Sequence, residues 1–356
     1  MTTRELWQRI MHYGEFDRMP VVHWTGWKET RARWIAEGMP ADANEHEYFG
    51  AVPMWTWVGV NIDLFPRFEE QTLEETPDWR IYRDHSGVIK KEWKNQSCIP
   101  NYIDHTLRIA ADWPEFKRRL LPGPERIPGD LDGQLARAEA SGLPIVVGTT
   151  SLMGWIRNWM GVENMCYLMA DDPDCYTDMV NTLADLACWG IDQTIPRMKT
   201  RPDMGFGWED ICGKTGPLVS PGIFERCVAP GYRRIRRKLE DYGVKLLGID
   251  TDGDIAALIG PWFEAGVNVQ FPVEIGTWNA DPLAYRREFG RELRIVGGFN
   301  KLVLEQGPDA IDAEIERRRA LMKDGGFLLM PDHLITPGTS LENYKYYLDR
   351  IRDLRL

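Results

Sequence analysis

Several things are scarce in this sequence, and each scarcity excludes something. No apolar run reaches about 18 residues, so a membrane-spanning helix is not expected. Met1-Thr2-Thr3-Arg4-Glu5 opens directly into an amphipathic helix pattern, without the apolar core of an export signal. Six cysteines (Cys98, Cys166, Cys175, Cys188, Cys212 and Cys227) show no CxxC or other metal-ligand spacing, and a chain of 356 residues needs no disulfide scaffold. A reducing cytoplasm is the expected location. Positive charge is also short: the formal charge is -11 and the isoelectric point is near 5.2. Nucleic acid and anionic membranes are therefore excluded as partners, because phosphate needs a basic footprint. Arg233-Arg234 and Arg236-Arg237-Lys238 fall on one expected helix and read as a solvated face. Repeats, low-complexity tracts and linkers are missing too, which favours a single domain over residues 1–356.

Two motif classes are absent as well. Val296-Gly297-Gly298-Phe299-Asn300 lacks the further glycine of a dinucleotide fingerprint. Gly148-Thr149-Thr150-Ser151 is no nucleophile elbow, because Ser151 lacks flanking glycines.

What the chain does have is a series of short apolar runs bounded by glycine, proline or charge: 19–24, 61–65, 144–149, 204–208, 245–249, 268–273, 294–299 and 327–330. Helix patterns with recognisable ends separate the later runs. Ser220-Pro221 opens one that closes at Gly243, Asp254 to Ala265 closes at Gly266, and Pro308 to Lys323 closes at Gly325. Buried strands alternating with helices predict parallel pairing with right-handed crossovers, and eight such units suggest closure. The expected fold class is α/β, a (β/α)8 TIM barrel with N-terminal helices and an inserted hairpin and helical segment after strand 2. Roughly eighty residues separate the second and third runs, too many for a plain crossover, and place the insertion at about 67–143. Within it, 79–83 and 88–93 flank Asp84-His85-Ser86-Gly87 as a hairpin.

In a barrel the residues after each strand converge on one face. Those positions hold His23 and Trp24, Asp63, Thr149 to Ser151, Glu209 and Asp210, Asp250 and Asp252, Glu274, Asn300 and Lys301, and Asp332 and His333. Carboxylates gathered this closely must protonate, bind a cation or pair with a base. Asp250-Thr251-Asp252-Gly253-Asp254 is the densest group. Its glycine follows the second acid directly and no Glu stands at the twelfth position, so it is not an EF-hand. His333 ends the last buried run beside Asp332, ahead of the Pro337-Gly338 turn and the helix-capping Ser340. His23 reads equally as a core imidazole, while His12, His46, His85 and His105 read as structural or solvated. Fifteen tryptophans are an excess, and those beside strand ends (Trp24, Trp27, Trp55, Trp57, Trp155, Trp159, Trp208) are candidates for an apolar pocket wall.

Over most of its length, and most strongly from Leu246 onward, the chain resembles the uroporphyrinogen decarboxylase superfamily, a barrel family that also holds cobalamin-linked methyltransferases. Decarboxylases of that family carry a histidine followed by a Pro-x-Thr-Pro-x-Glu-Asn type turn. His333, Pro337, Thr339, Glu342 and Asn343 match it, with Ser340 in place of the second proline. The methyltransferase branch holds zinc through a His-x-Cys-Gly-Asn segment and a later cysteine. Here those positions read Asp250-Thr251-Asp252-Gly253-Asp254 and His333, so the resemblance implies a harder site for zinc, manganese or magnesium, or one without metal. The arginines that neutralise a tetrapyrrole's carboxylates are absent from His23-Trp24-Thr25-Gly26-Trp27, which argues against haem biosynthesis. The decarboxylation acid aligns loosely with Asp63.

The leading expectation is a methyltransferase acting on a small methoxylated or methylamine-type substrate, with a corrinoid on a partner protein as acceptor. The alternative is a metal-independent decarboxylase of a small acid, and a third reading is a carrier or sensor. Expected catalytic residues are His333, Asp252, Glu209 and Asp63. Expected substrate contacts are His23, Trp24, Trp155, Trp208, Asp210, Asn300 and Asp332. Asp250, Asp252, Glu274 and His333 are the candidate metal ligands, and a homodimer is the assembly entertained.

Overall fold

A computed structural model describes residues 1–356. The chain lays down strand β1 (Thr56–Val58), then four strands of a separate sheet, β2 (Gln71–Glu75), β3 (Trp79–Arg83), β4 (Ile89–Trp93) and β5 (Asn101–Asp104). It returns to the first sheet with β6 (Ile145–Gly148), β7 (Met204–Trp208), β8 (Leu247–Asp250), β9 (Val269–Val273), β10 (Arg294–Phe299) and β11 (Phe327–Pro331). The first sheet has the order β1-β6-β7-β8-β9-β10-β11, and every pair in it is parallel. Helices run between its strands, as Pro173–Thr194 does between β6 and β7 and Pro308–Asp324 between β10 and β11. Strands β9, β10 and β11 are buried at every residue, which is why they read as continuous apolar runs.

The eighth stave is thinner than expected. Residues 19–24 form no regular strand; Val22 bridges Val52 and Gly26 bridges Ile335, both in parallel sense. Val52 N–H donates to Val21 at 2.9 Å, and Trp27 N–H donates to Ile335 at 3.2 Å. These two bridges close the curled sheet into the TIM barrel, joining the segment before β1 to the segment after β11.

The second strand lies elsewhere than expected, at Thr56–Val58 instead of 61–65. Gly59, with φ +148°, turns the chain out of the sheet. Beyond it the buried guanidinium of Arg126 takes the carbonyls of Asn61 (3.2 Å) and Asp63 (2.6 Å), so this backbone is satisfied by a side chain and not by a ladder. Asp63 thereby loses its strand-end position.

Between β1 and β6 stands the antiparallel sheet β2-β3-β4-β5. Its central hairpin pairs Arg83 with Ile89, and Asp84 builds the turn by accepting from Ser86 N–H (2.9 Å) and Val88 N–H (3.1 Å). The two glycines of β10 serve the backbone, not a nucleotide. At Gly297 (φ +108°) a Cβ would stand 3.2 Å from Pro272 Cα, where the β9–β10 register shifts. No helix is long and apolar enough to cross a membrane.

Candidate active site

Asp250 ends β8, and the parallel register sets it beside Trp208 on β7 and Phe271 on β9. Gly248, two residues earlier, faces the same way, and a Cβ there would lie 2.6 Å from the Phe206 ring. Because Gly248 has no side chain, Phe206 and Phe271 approach each other across the strand at 5.9 Å. Asp250 therefore stands on an aromatic layer. Its carboxyl has no hydrogen-bond partner; burial, then the charges of Asp252 and Asp210, push it well above the usual carboxylate range.

The turn after β8 depends on Gly253. Its φ is +91°, and a Cβ would meet the Cys212 carbonyl at 2.4 Å, so only glycine fits. With the backbone so turned, Asp252 Oδ2 lies 3.1 Å from His333 Nε2, while Asp252 Oδ1 is buried without a partner. Burial disfavours the imidazolium of His333, but the hydrogen bond and charge of Asp252 outweigh it and raise the histidine above its ordinary value.

An aromatic wall leads away from this pair. His333 stacks on Trp27 (6.3 Å, 25° between planes) and packs against Trp24 at 5.8 Å. Trp24 meets Phe271 at 4.9 Å, Phe271 meets Trp55 at 5.7 Å, and Trp55 meets Phe206 at 4.6 Å. Trp57, 55% exposed, ends the row 5.7 Å from Phe206.

The remaining candidates divide by what holds them. Glu209, fully buried, accepts from Leu152 N–H (2.7 Å), Met153 N–H (2.8 Å), Gly154 N–H (2.7 Å), Ser151 Oγ (3.0 Å) and the Tyr232 hydroxyl. It anchors the loop after β6 and has no face left for substrate, contrary to the catalytic role expected. Asp332 likewise accepts from Ile275 N–H (2.6 Å), Gly276 N–H (3.0 Å) and Lys301 N–H (2.9 Å), stitching three strand ends together in place of a ligand contact. Asn300 caps the following turn through Leu302 N–H at 2.9 Å. His23 is buried between the Tyr344 hydroxyl (2.7 Å) and Glu45 (2.8 Å), a satisfied core imidazole. Asp63 pairs with Arg67 (3.2 Å) and His85 (3.6 Å), beside the inserted sheet and not with His333. Trp155 packs on Trp159 at 6.0 Å, whose ring meets Phe116.

Asp210 does stay at the mouth, bound to Arg157 at 3.3 Å, with burial raising its carboxyl against that guanidinium. Trp208 lies under the same Arg157, 5.4 Å from ring centre to guanidinium. Together they line a cavity of about 470 Å³ with Tyr102, His105, Asn158 and Leu218. Arg157, Phe206 and Phe271 were not singled out from the sequence. For Phe206 a signal existed: it shares the period-two face of Trp208 on the same strand.

The donor set does not fit the divalent metal expected. Glu274 Oε1 binds Lys301 Nζ at 2.9 Å, and its Oε2 accepts from Gly253 N–H (2.9 Å) and Trp278 Nε1 (2.5 Å). Asp252 and His333 hydrogen-bond to each other, and no three His, Cys, Asp or Glu side chains converge with ligand geometry. Asp250, Asp252, Glu274 and His333 thus do not assemble a metal centre.

Comparison with known proteins adds three findings. The family model described as Uroporphyrinogen decarboxylase (URO-D) matches residues 160–354. A methyltransferase from Methanosarcina mazei shares the fold, with a TM-score of 0.62 at 14% identity over 99% of each chain. A β-L-arabinopyranosidase from Geobacillus stearothermophilus reaches a TM-score of only 0.28 at 11% identity, covering 88% of this chain and 59% of its own.

Proposed function

Because the chain belongs to the uroporphyrinogen decarboxylase (URO-D) family, we propose that it is a methyltransferase of that family. In this reading it moves a methyl group from a small methoxylated or methylamine-type substrate to a corrinoid carried by a partner protein. One observation carries it: an aromatic wall for a methyl group runs into Asp250 and the Asp252–His333 pair, polar groups suited to the attached heteroatom. The fold shared with a methyltransferase over 99% of both chains supports the reading. The lack of arginine in His23-Trp24-Thr25-Gly26-Trp27 argues against a polycarboxylate substrate. Fold alone selects no chemistry, so the site must carry the argument.

The aromatic wall excludes water and orients the methyl group toward the open side of the mouth. A reduced corrinoid, as acceptor substrate, would supply the electron pair for the new bond to the methyl carbon. The old bond's electrons stay on the departing heteroatom. If that atom is an ether oxygen, it takes the proton held by His333, which Asp252 orients. If it is already cationic, it departs neutral and takes none.

A test is direct. The purified protein is incubated with chemically reduced cobalamin and a panel of methoxyaromatics and methylamines, and methylcobalamin is read by its absorbance. Turnover of one substrate class is expected. No methyl transfer across the panel, with carbon dioxide released from a small acid, would replace this reading by metal-independent decarboxylation. That second reading has one observation in its favour: Asp250 stands unpaired above the Phe206–Phe271 layer with its carboxyl pushed above the usual range by burial, a placement suited to handing a proton to the carbanion that carbon dioxide leaves behind.

A further inference from the structure

The strand-end carboxylates can be matched with their partners one at a time. Glu209 is held by five donors and Asp332 by three backbone N–H groups. Asp210 faces Arg157, Asp252 faces His333, and Glu274 faces Lys301. Asp250 alone has neither a base nor a hydrogen-bond donor. Asp250 is half-buried and its oxygens still meet solvent, so a ligand at the strand ends can reach them and relieve the cost of charge at this site. A donor-bearing ligand could complete the carboxyl through directed hydrogen bonds, but the surface beside it is chiefly aromatic. Around Asp250 stand Trp208 and Phe271 in register, then Trp24, Trp55 and Phe206 in unbroken contact. Burial disfavours the ionised form of Asp250, and a single diffuse positive charge that needs no hydrogen bonds is the complement that would stabilise its carboxylate beside these π faces. The chain's net charge of -11 draws such a cation toward the mouth.

We propose that the group seated beside Asp250 is a methylated onium cation, a quaternary ammonium or sulfonium, and that the methyl donor is therefore cationic; this rests on the methyl-transfer reading. The step balances without acid catalysis. The corrinoid's electron pair forms the bond to the methyl carbon, the carbon–nitrogen or carbon–sulfur pair stays on the heteroatom, and a neutral amine or sulfide leaves. Asp250 is the counter-charge, and His333 neutralises Asp252 so that the mouth holds one excess charge. An ether or a neutral aromatic substrate would leave Asp250 without a partner.

Binding can be measured without any methyl acceptor. The probes are choline and its uncharged isostere 3,3-dimethylbutan-1-ol, titrated against tryptophan fluorescence and by calorimetry at low salt. Choline is expected to bind at least about tenfold more tightly than the isostere. Asp250→Asn should remove that preference while leaving the isostere's affinity unchanged, and Trp24→Leu should weaken choline several-fold. Equal affinity for the two probes, or a preference that survives Asp250→Asn, overturns the inference. If choline binds as expected but no methylated substrate is turned over, the methyl-transfer reading fails and the cation site stands. If methoxyaromatics are demethylated while choline does not bind, the cation site fails and the methyl-transfer reading stands.

Discussion

Glu209 and Asp250 are both acids at strand ends, and their surroundings give them different work. Glu209 collects five hydrogen bonds, so Glu209→Ala leaves buried donors unmatched and should cost about 3 kcal/mol or more. Chemical denaturation should show the loss, and cation binding by the folded fraction should persist; unchanged stability would contradict an anchoring role. Asp250 has no partner, and its folded value lies above the ordinary 3.8. The folded protein therefore holds a proton that the unfolded chain releases, so the associated stability is full below about pH 4 and is lost as pH rises through the folded value. His333, raised from 6.5, acts in the same direction above that pH. Asp250→Asn should melt higher than the parent protein at pH 8, with the gap closing toward pH 4. A lower melting temperature at pH 8 would reveal a partner for the carboxylate. For the same reason, choline binding should weaken on acidification, as Asp250, crowded by Asp252 and Asp210 and facing the Asp252–His333 pair, takes up its proton.

Elements were legible in proportion to how locally they are determined. Strands 204–208 and 294–299, the Asp84 hairpin and the helix opened by Ser340 all stand where their residues indicate, because each rests on its own apolar run or on a cap such as Ser340 Oγ accepting Asn343 N–H at 3.1 Å. The run at 61–65 failed because its carbonyls are claimed by Arg126, more than sixty residues away in sequence. Gly248 illustrates the same limit from the other side. As a letter it only weakens a strand; in place it is the gap through which Phe206 and Phe271 meet. Gly248→Ala should displace the Phe206 ring, shift the near-ultraviolet aromatic circular dichroism and weaken choline binding several-fold, with the fold retained. Unaltered binding would remove that layer from the site.

At the scale of the molecule, seven strands are joined by full ladders and the closing stave by two bridges. Hydrogen exchange should therefore be faster at the Val52 and Ile335 amides than in β9 and β10, which are buried along their whole length. Equal protection would mean that the seam opens only with the whole fold. Apolar runs, helix stops and the order of strand ends were enough to determine a (β/α)8 barrel and to bring Asp250, Asp252 and His333 to one face, since period and punctuation are local properties of the chain. They were not enough to say which acids are free. That depends on who donates to each oxygen: distant backbone N–H groups close on Glu209 and Asp332, Lys301 closes on Glu274, and none reaches Asp250. Only the tertiary structure decides this, because a hydrogen-bond partner is a neighbour in space and leaves no mark on the spacing of the sequence.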